Sequence, residues 1–251
     1  MELIAGAVIV VLAAAIHACT GFGFSLLATP FLLLVFPPAQ AIQINIALSI
    51  LISVLLLPKL LADIDRTLLR RLVLGSCVGA PPGILVYLHA DPDQLRLGVG
   101  VLLLLFTALV LSRVRFDRRP ARDVTTGGLS GALTAGLGLP GPPLMVYFAG
   151  TAMAPAALRS TTLACFLFTY SLALVLQIAV AGASREMLNA VLVLIPATGL
   201  GVVLGQAAFR RIDATSFMRL LYGLLVVTGL YLVIDALRAI GPAAGSGVAS
   251  L

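Results

Sequence analysis

Polar positions are rare along most of this chain, and they fall between long apolar runs. The runs are Leu3–Ala18, Leu26–Phe36, Ala41–Leu57, Leu72–Leu88, Leu95–Leu111, Val124–Gly150, Arg159–Val180, Met187–Phe209 and Phe217–Leu237. Runs of this length and apolarity predict helices that cross a bilayer, at about 20 residues per crossing. Two of the apolar stretches are internally broken. Gly136-Leu137-Gly138-Leu139-Pro140-Gly141-Pro142-Pro143 sits between Val124–Ala135 and Leu144–Ala149, and three glycines and three prolines in eight residues do not continue a regular helix. Thr20-Gly21-Phe22-Gly23-Phe24-Ser25 is a second candidate break, and Leu3 to Phe36 is 34 residues, long for one span. Pro81-Pro82-Gly83 predicts a further interruption, inside Leu72–Leu88. Irregular backbone at membrane depth is tolerated where protein buries it or a wet cavity lines it. Broken helices of this kind hold substrate in many secondary transporters.

Composition narrows the class. The 251 residues are 61% hydrophobic and 10% charged, against about 25% charged in a soluble domain. A soluble fold of this length needs a charged surface that this chain does not have. The formal charge of +6 comes mainly from arginines in the linkers, five of them between Ser112 and Asp123. That pattern fits loops retained at the cytoplasmic face, and it lacks the basic helix or aromatic–basic interleaving of a nucleic-acid binder. The loops around Arg70 and Arg113 are both expected in the cytoplasm, since two spans separate them. Met1-Glu2 leads straight into Leu3, which reads as a first membrane element and not as a removed signal peptide.

The remaining chemistry is sparse. Cys19, Cys77 and Cys165 lie inside apolar runs with no paired spacing, as buried small hydrophobes would. No catalytic triad or His/Asp/Glu cluster is present, and Gly136–Gly141 lacks the Lys-Ser/Thr of a nucleotide loop, so neither an enzyme nor a cofactor or metal site is expected. No Asp or Glu lies well inside a span; Asp123 is read as a linker residue, and a coupling site on a buried carboxylate is not expected.

The two halves resemble each other. Gly79 and Gly83 match Gly201 and Gly205 at a shift of 122, and Leu95-Arg96 with Gly100 matches Met218-Arg219 with Gly223 at a shift of 123. Duplication of this kind is common among secondary carriers. The expected architecture is an all-α polytopic membrane protein of about eight transmembrane helices, with glycine-broken helices or re-entrant hairpins. Its parts are a first half over 3–111, a basic cytoplasmic linker over 112–123, a second half over 124–237 and a flexible tail over 238–251. Plain spans give parallel halves with both termini inside. Two hairpins give inverted halves with both termini outside and bring Arg210 and Arg211 inside; both versions stay open.

A half-helix starting near Pro142-Pro143 presents the positive end of its dipole to an anion, and glycines let a small anion approach the backbone. The candidate substrate-binding residues are Thr20, Gly21, Gly23 and Ser25 at the first break, Gly138, Gly141 and Pro142 at the second, and Gln43, Asn45, Ser160 and Thr161 at the starts of the next spans. Arg159 is the cation beside the second break, placed either to balance substrate charge or to snorkel to headgroups. His17, one turn before the first break, is a candidate proton relay or a packed neutral ring.

Thr20-Gly-Phe-Gly-Phe followed by Pro30, together with Gly141-Pro-Pro-Leu-Met-Val-Tyr-Phe148 and the glycine-rich start of the second half, resembles the sulfite exporter TauE/SafE family, over roughly Ala5 to Leu237. The resemblance implies a multi-pass protein of the bacterial inner membrane, with a duplicated four-span unit, that exports sulfite or organosulfonates. The family's glycine signature falls on Gly21, Gly23, Gly138 and Gly141, while Phe24, Leu139 and Pro140 stand where many relatives have further glycines. The expected function is secondary export of a small anion, with a passive anion channel or a non-transporting membrane structural protein as alternatives. The expected partners are the anion and the lipid bilayer, with protons and a second copy of the chain as open cases and no nucleic acid.

Overall fold

The computed structural model describes residues 2–20, 23–112, 119–149, 151, 153–208 and 214–240. Gly21, the linker arginines Arg113, Arg115 and Arg118, the Arg210–Arg211 turn and the tail from 241 to 251 lie outside the described residues, as does the side chain of Thr20. Among the described residues the chain forms ten α-helices and no strand: α1 Glu2–Thr20, α2 Phe24–Val35, α3 Pro38–Leu56, α4 Arg66–His89, α5 Pro92–Leu111, α6 Pro120–Leu137, α7 Gly141–Ala149, α8 Pro155–Ala181, α9 Arg185–Ala208 and α10 Ala214–Ile240. Two single-turn 3-10 helices, Leu57–Lys59 and Leu61–Asp63, join α3 to α4.

Local chemistry sets these boundaries. Proline opens α3, α5, α6 and α8, where its missing N–H costs nothing and its fixed φ suits the first turn. Asp65 caps α4 by accepting the Leu68 N–H at 2.9 Å, and Asp91 and Gln94 form a reciprocal capping box at the start of α5. Among the described residues, five helices are long and apolar enough to cross a membrane: Pro38–Lys59, Arg66–His89, Pro92–Leu111, Pro155–Ala181 and Arg185–Ala207. The fold is an all-α polytopic membrane fold.

Helices that are distant in sequence pack closely. Along α4, a Cβ added to Gly75, Gly79 or Gly83 would stand 2.0, 1.9 or 2.2 Å from the carbonyl oxygens of Val124, Gly128 and Ala132 on α6. Gly127 and Gly131 of α6 answer in kind against Leu72 and Ser76. Only glycine permits backbones this near, which is the small-residue packing of membrane helices. The same arrangement recurs between α9 and α1, where Gly201 and Gly205 face the carbonyls of Val11 and Ala15. The α5 and α10 helices meet at Gly100 and Gly229, and α3 lies against α8.

Three sequence expectations need correction. Pro81 and Pro82 do not interrupt α4, which is continuous from Arg66 to His89. Both prolines sit exposed, while Gly75, Gly79 and Gly83 pack the helix against α6 and hold it through them. Cys77 is exposed rather than buried, one residue past the seam-facing Ser76, whereas Cys165 is buried as expected. Asp123 is not a linker residue: it lies in the first turn of α6 and is completely buried. Its carboxylate is neutralised by Arg71 of α4 at 3.0 Å and accepts the Tyr147 hydroxyl of α7 at 2.7 Å. Burial is possible there because the first turn of a helix favours an anion and two donors converge on it.

The Asp123–Tyr147 bond also fixes the path of α7. Tyr147 is near the end of α7 and Asp123 near the start of α6, and Ser130 donates to the Pro140 carbonyl at 2.9 Å on the way. The α6–α7 unit is therefore an antiparallel hairpin bent at Gly138–Pro140. The α1–α2 unit bends back likewise: a Cβ on Gly6, early in α1, would lie 3.2 Å from the ring of Phe36, which follows α2.

Candidate functional site

The first bend ends at Gly23, the N-cap of α2, with φ +100°. This left-handed conformation is the reason for glycine there, and a Cβ would meet no described atom within 4 Å. The Phe24 N–H donates to Nδ1 of His17 at 3.2 Å. A ring nitrogen that accepts carries no proton, so the proton of the neutral ring is on Nε2. His17 is buried, and that Nε2–H has no hydrogen-bond partner among the described residues. Arg159 enters from the first turns of α8 and donates through Nη2 to the Ala18 carbonyl at 3.1 Å, while its buried Nε is also without a partner. Half-buried Arg159 thus reaches the end of α1, at the first bend. The hydroxyls of Thr29 on α2 and Thr162 on α8 are buried and unpartnered too.

The second bend is Gly138–Pro140. Gly138 caps α6 at φ +72°, and its N–H returns to the carbonyls of Leu133 and Thr134. Asn45 of α3 donates through Nδ2 to the Gly138 carbonyl at 2.9 Å, and Gln177 of α8 donates through Nε2 to the Ala135 carbonyl at 2.9 Å. The other amide oxygens, Asn45 Oδ1 and Gln177 Oε1, are buried and unpartnered. Gly141 opens α7, and a Cβ there would be in ordinary contact with Phe166 at 3.8 Å and Leu26 at 3.9 Å. The starts of α2 and α7 therefore come together beside α8. Pro142 and Pro143 carry no N–H, so α7 offers an anion fewer backbone donors at its start than α2 does. Pro142 faces sideways, into an apolar groove of about 540 Å³ between α5, α6 and α7 with Leu102, Leu105, Phe106 and Val146.

The structure brings His17, Gly23 and Arg159 together at one bend and Asn45, Gly138 and Gly141 at the other. Ser25, in the first turn of α2, is buried, as is Tyr170 of α8. It does not bring in the remaining candidates. Gln43 holds the Gly182 carbonyl at the far end of α8 at 3.0 Å. Ser160 bonds its own helix at Ala157, and Thr161 accepts the Asp65 N–H at 3.0 Å, fastening α8 to the cap of α4. Sequence reasoning missed Gln177, Tyr170 and Asp123. A glutamine deep in an apolar run was the one available signal, at Gln177.

A family model described as Sulfite exporter TauE/SafE matches residues 6–232. No curated protein and no solved structure matches the chain. The chain belongs to the TauE/SafE family, a family of non-catalytic membrane transporters, and its general activity is secondary membrane transport of an anion.

Proposed function

We propose that this member of the TauE/SafE family exports a small sulfur oxyanion or organosulfonate across the bacterial inner membrane, and that the anion binds at the first bend. One observation carries the reading. The unpaired nitrogens buried there, His17 Nε2 and Arg159 Nε, are both donors, beside the start of α2. Buried donors without partners are costly, and an acceptor-rich ligand at the positive end of a helix satisfies them. His17 then serves as a donor to the substrate, and a proton relay through it is secondary to that role. Gly23, where an added Cβ meets no described atom within 4 Å, leaves the approach clear, and buried Ser25 follows it in the first turn of α2.

The same reading has a topology. The crossing helices are α3, α4, α5, α8, α9 and α10, and the long arms α1 and α6 complete about eight membrane helices, with α2 and α7 as return half-helices. The halves, 3–111 and 124–237, are inverted repeats. Their support is the recurrence of the seam at constant spacing: Gly79 on Gly128 and Gly201 on Val11, then Gly83 on Ala132 and Gly205 on Ala15. The start of α4 around Arg70, the linker before α6 and the Arg210–Arg211 connection face the cytoplasm in this arrangement, and both termini lie outside. The inside-negative potential favours anion exit by about 2.3 kcal/mol per charge for each 100 mV.

The test is transport by purified protein in liposomes. Efflux of sulfite or an alkanesulfonate is expected to saturate and to change with imposed voltage. Arg159→Gln should raise KM severalfold more than it lowers the maximal rate. Saturable movement of a cation, with none of any sulfur oxyanion or carboxylate, refutes the reading.

A further inference from the structure

The two bends differ in the sign of what they leave unpaired. At the first, the buried groups without partners include two N–H donors. At the second, they are two amide oxygens, Asn45 Oδ1 and Gln177 Oε1, both on residues with no exposed surface. The orientation of both amides is dictated: the carbonyls of Gly138 and Ala135 only accept, so each NH2 faces its carbonyl and each oxygen faces away. Those carbonyls belong to the last turn and cap of α6, the negative end of its dipole.

Ala18 and Ala135 stand at the same place, two residues before the last residue of α1 and of α6. Each carbonyl receives a side-chain donor from α8, the cation Arg159 at Ala18 and the neutral Gln177 at Ala135. The protein supplies its own positive charge at one helix end and only amides at the other.

We infer that the second bend is a cation site, in which Asn45 Oδ1, Gln177 Oε1 and carbonyl oxygens at the end of α6 hold a small positive group while the anion occupies the first bend. The group is either an alkali-metal ion that travels with the anion or the ammonium of a substrate carrying both charges. An all-oxygen shell of amides and carbonyls suits a hard cation, and unwound carbonyls and helix C-termini coordinate coupling ions in other carriers. Asp123 is not part of the site; it is already paired with Arg71 at the other end of α6. The inference uses the anion reading only for the second ion; cation binding is measured without a transported anion.

The experiment is thermal unfolding of the purified full chain in detergent, with sodium, potassium or lithium chloride compared with choline chloride at equal ionic strength. One alkali ion should raise Tm saturably, by roughly 3–6 °C at about tenfold excess over Kd. The rise should vanish in Gln177→Leu and in Asn45→Leu. Gln43→Leu, which removes a similar amide–carbonyl bond elsewhere, should keep it. Gln177→Glu, which keeps the acceptor and adds charge, should reach half-saturation at lower ion concentration, and it serves as the folded variant if the leucine changes do not fold. A second arm, in choline, compares an aminoalkanesulfonate with the alkanesulfonate of equal length. Stabilisation by the amino compound alone, lost in Gln177→Leu, assigns the site to the substrate's ammonium. No rise with any alkali ion and none specific to the amino compound overturns the cation site. Loss of sulfonate efflux in liposomes with the cation response intact refutes the anion reading instead.

Discussion

The Tyr147 hydroxyl donates to Oδ1 of Asp123 across 2.7 Å, and this bond joins the last turn of α7 to the first turn of α6. With Arg71 on the other carboxylate oxygen, three helices converge on one buried charge. Tyr147→Phe removes a donor from a buried carboxylate and should cost about 1–3 kcal/mol. Asp123→Ala should cost more, because Arg71 loses its partner. Thermal unfolding of the two variants in detergent gives the order, and an unchanged Tm for Tyr147→Phe contradicts the role assigned to the bond.

Membrane topology has a discriminating position. Ala154 lies in the connection between α7 and α8. With α6–α7 as a re-entrant hairpin, it shares the cytoplasmic side with Thr67; with one plain span it faces outward. In a background lacking the three native cysteines, cysteine at Ala154 should resist an impermeant thiol reagent in intact cells, as should cysteine at Thr67. Cysteine at Ala90 should be labelled. Reaction at Ala154 without permeabilisation restores the plain span.

Glycines of the seam should differ sharply from one another. An alanine at Gly79 places Cβ 1.9 Å from the Gly128 carbonyl, so folded protein should fall steeply, and Gly205→Val should act alike from α9. Gly128→Ala meets its nearest atom at 3.6 Å and should be tolerated. Monodisperse yield after detergent extraction reports all three. Equal yields of the Gly79 and Gly128 variants are incompatible with the packing described.

The glycines of the bends separate conformation from space. Gly23→Ala meets no described atom within 4 Å but keeps a left-handed φ, at a cost of about 1–2 kcal/mol. Gly141→Ala makes ordinary contacts and should fold and transport. Gly141→Val should fold and lose most transport, because its branched methyls reach toward Leu26 between the two bends. Normal efflux by the valine variant separates Gly141 from the transport path.

The bends were legible in the sequence because glycine and proline cannot hide in a helix: Gly23 and Gly138 take positive φ where the breaks were expected. Seam glycines were legible as a repeated spacing, although their partners were not, since nothing local tells α4 that it will meet α6. Asp123 was misread because its neighbours are arginines, and burial follows from Tyr147 arriving 24 residues later. Pro81 and Pro82 misled in the other direction, since a proline on an unpacked face leaves a helix standing. Gln177 shows the harder limit: its identity was visible, but which amide atom stays unpaired depends on a carbonyl 42 residues away.

The seam between α4 and α6 has a consequence for how the protein is made. The two helices touch backbone to backbone, yet α6 ends 48 residues after α4 does. At about 5–20 residues per second of synthesis, α4 spends roughly 2–10 s in the bilayer before its partner arrives. Through that interval its glycine groove is filled only by acyl chains, and α1 waits longer still for α9. Assembly of this carrier is thus a late event in translation, and a nascent chain stalled after α5 exposes a bare glycine face to the quality-control proteases of the membrane.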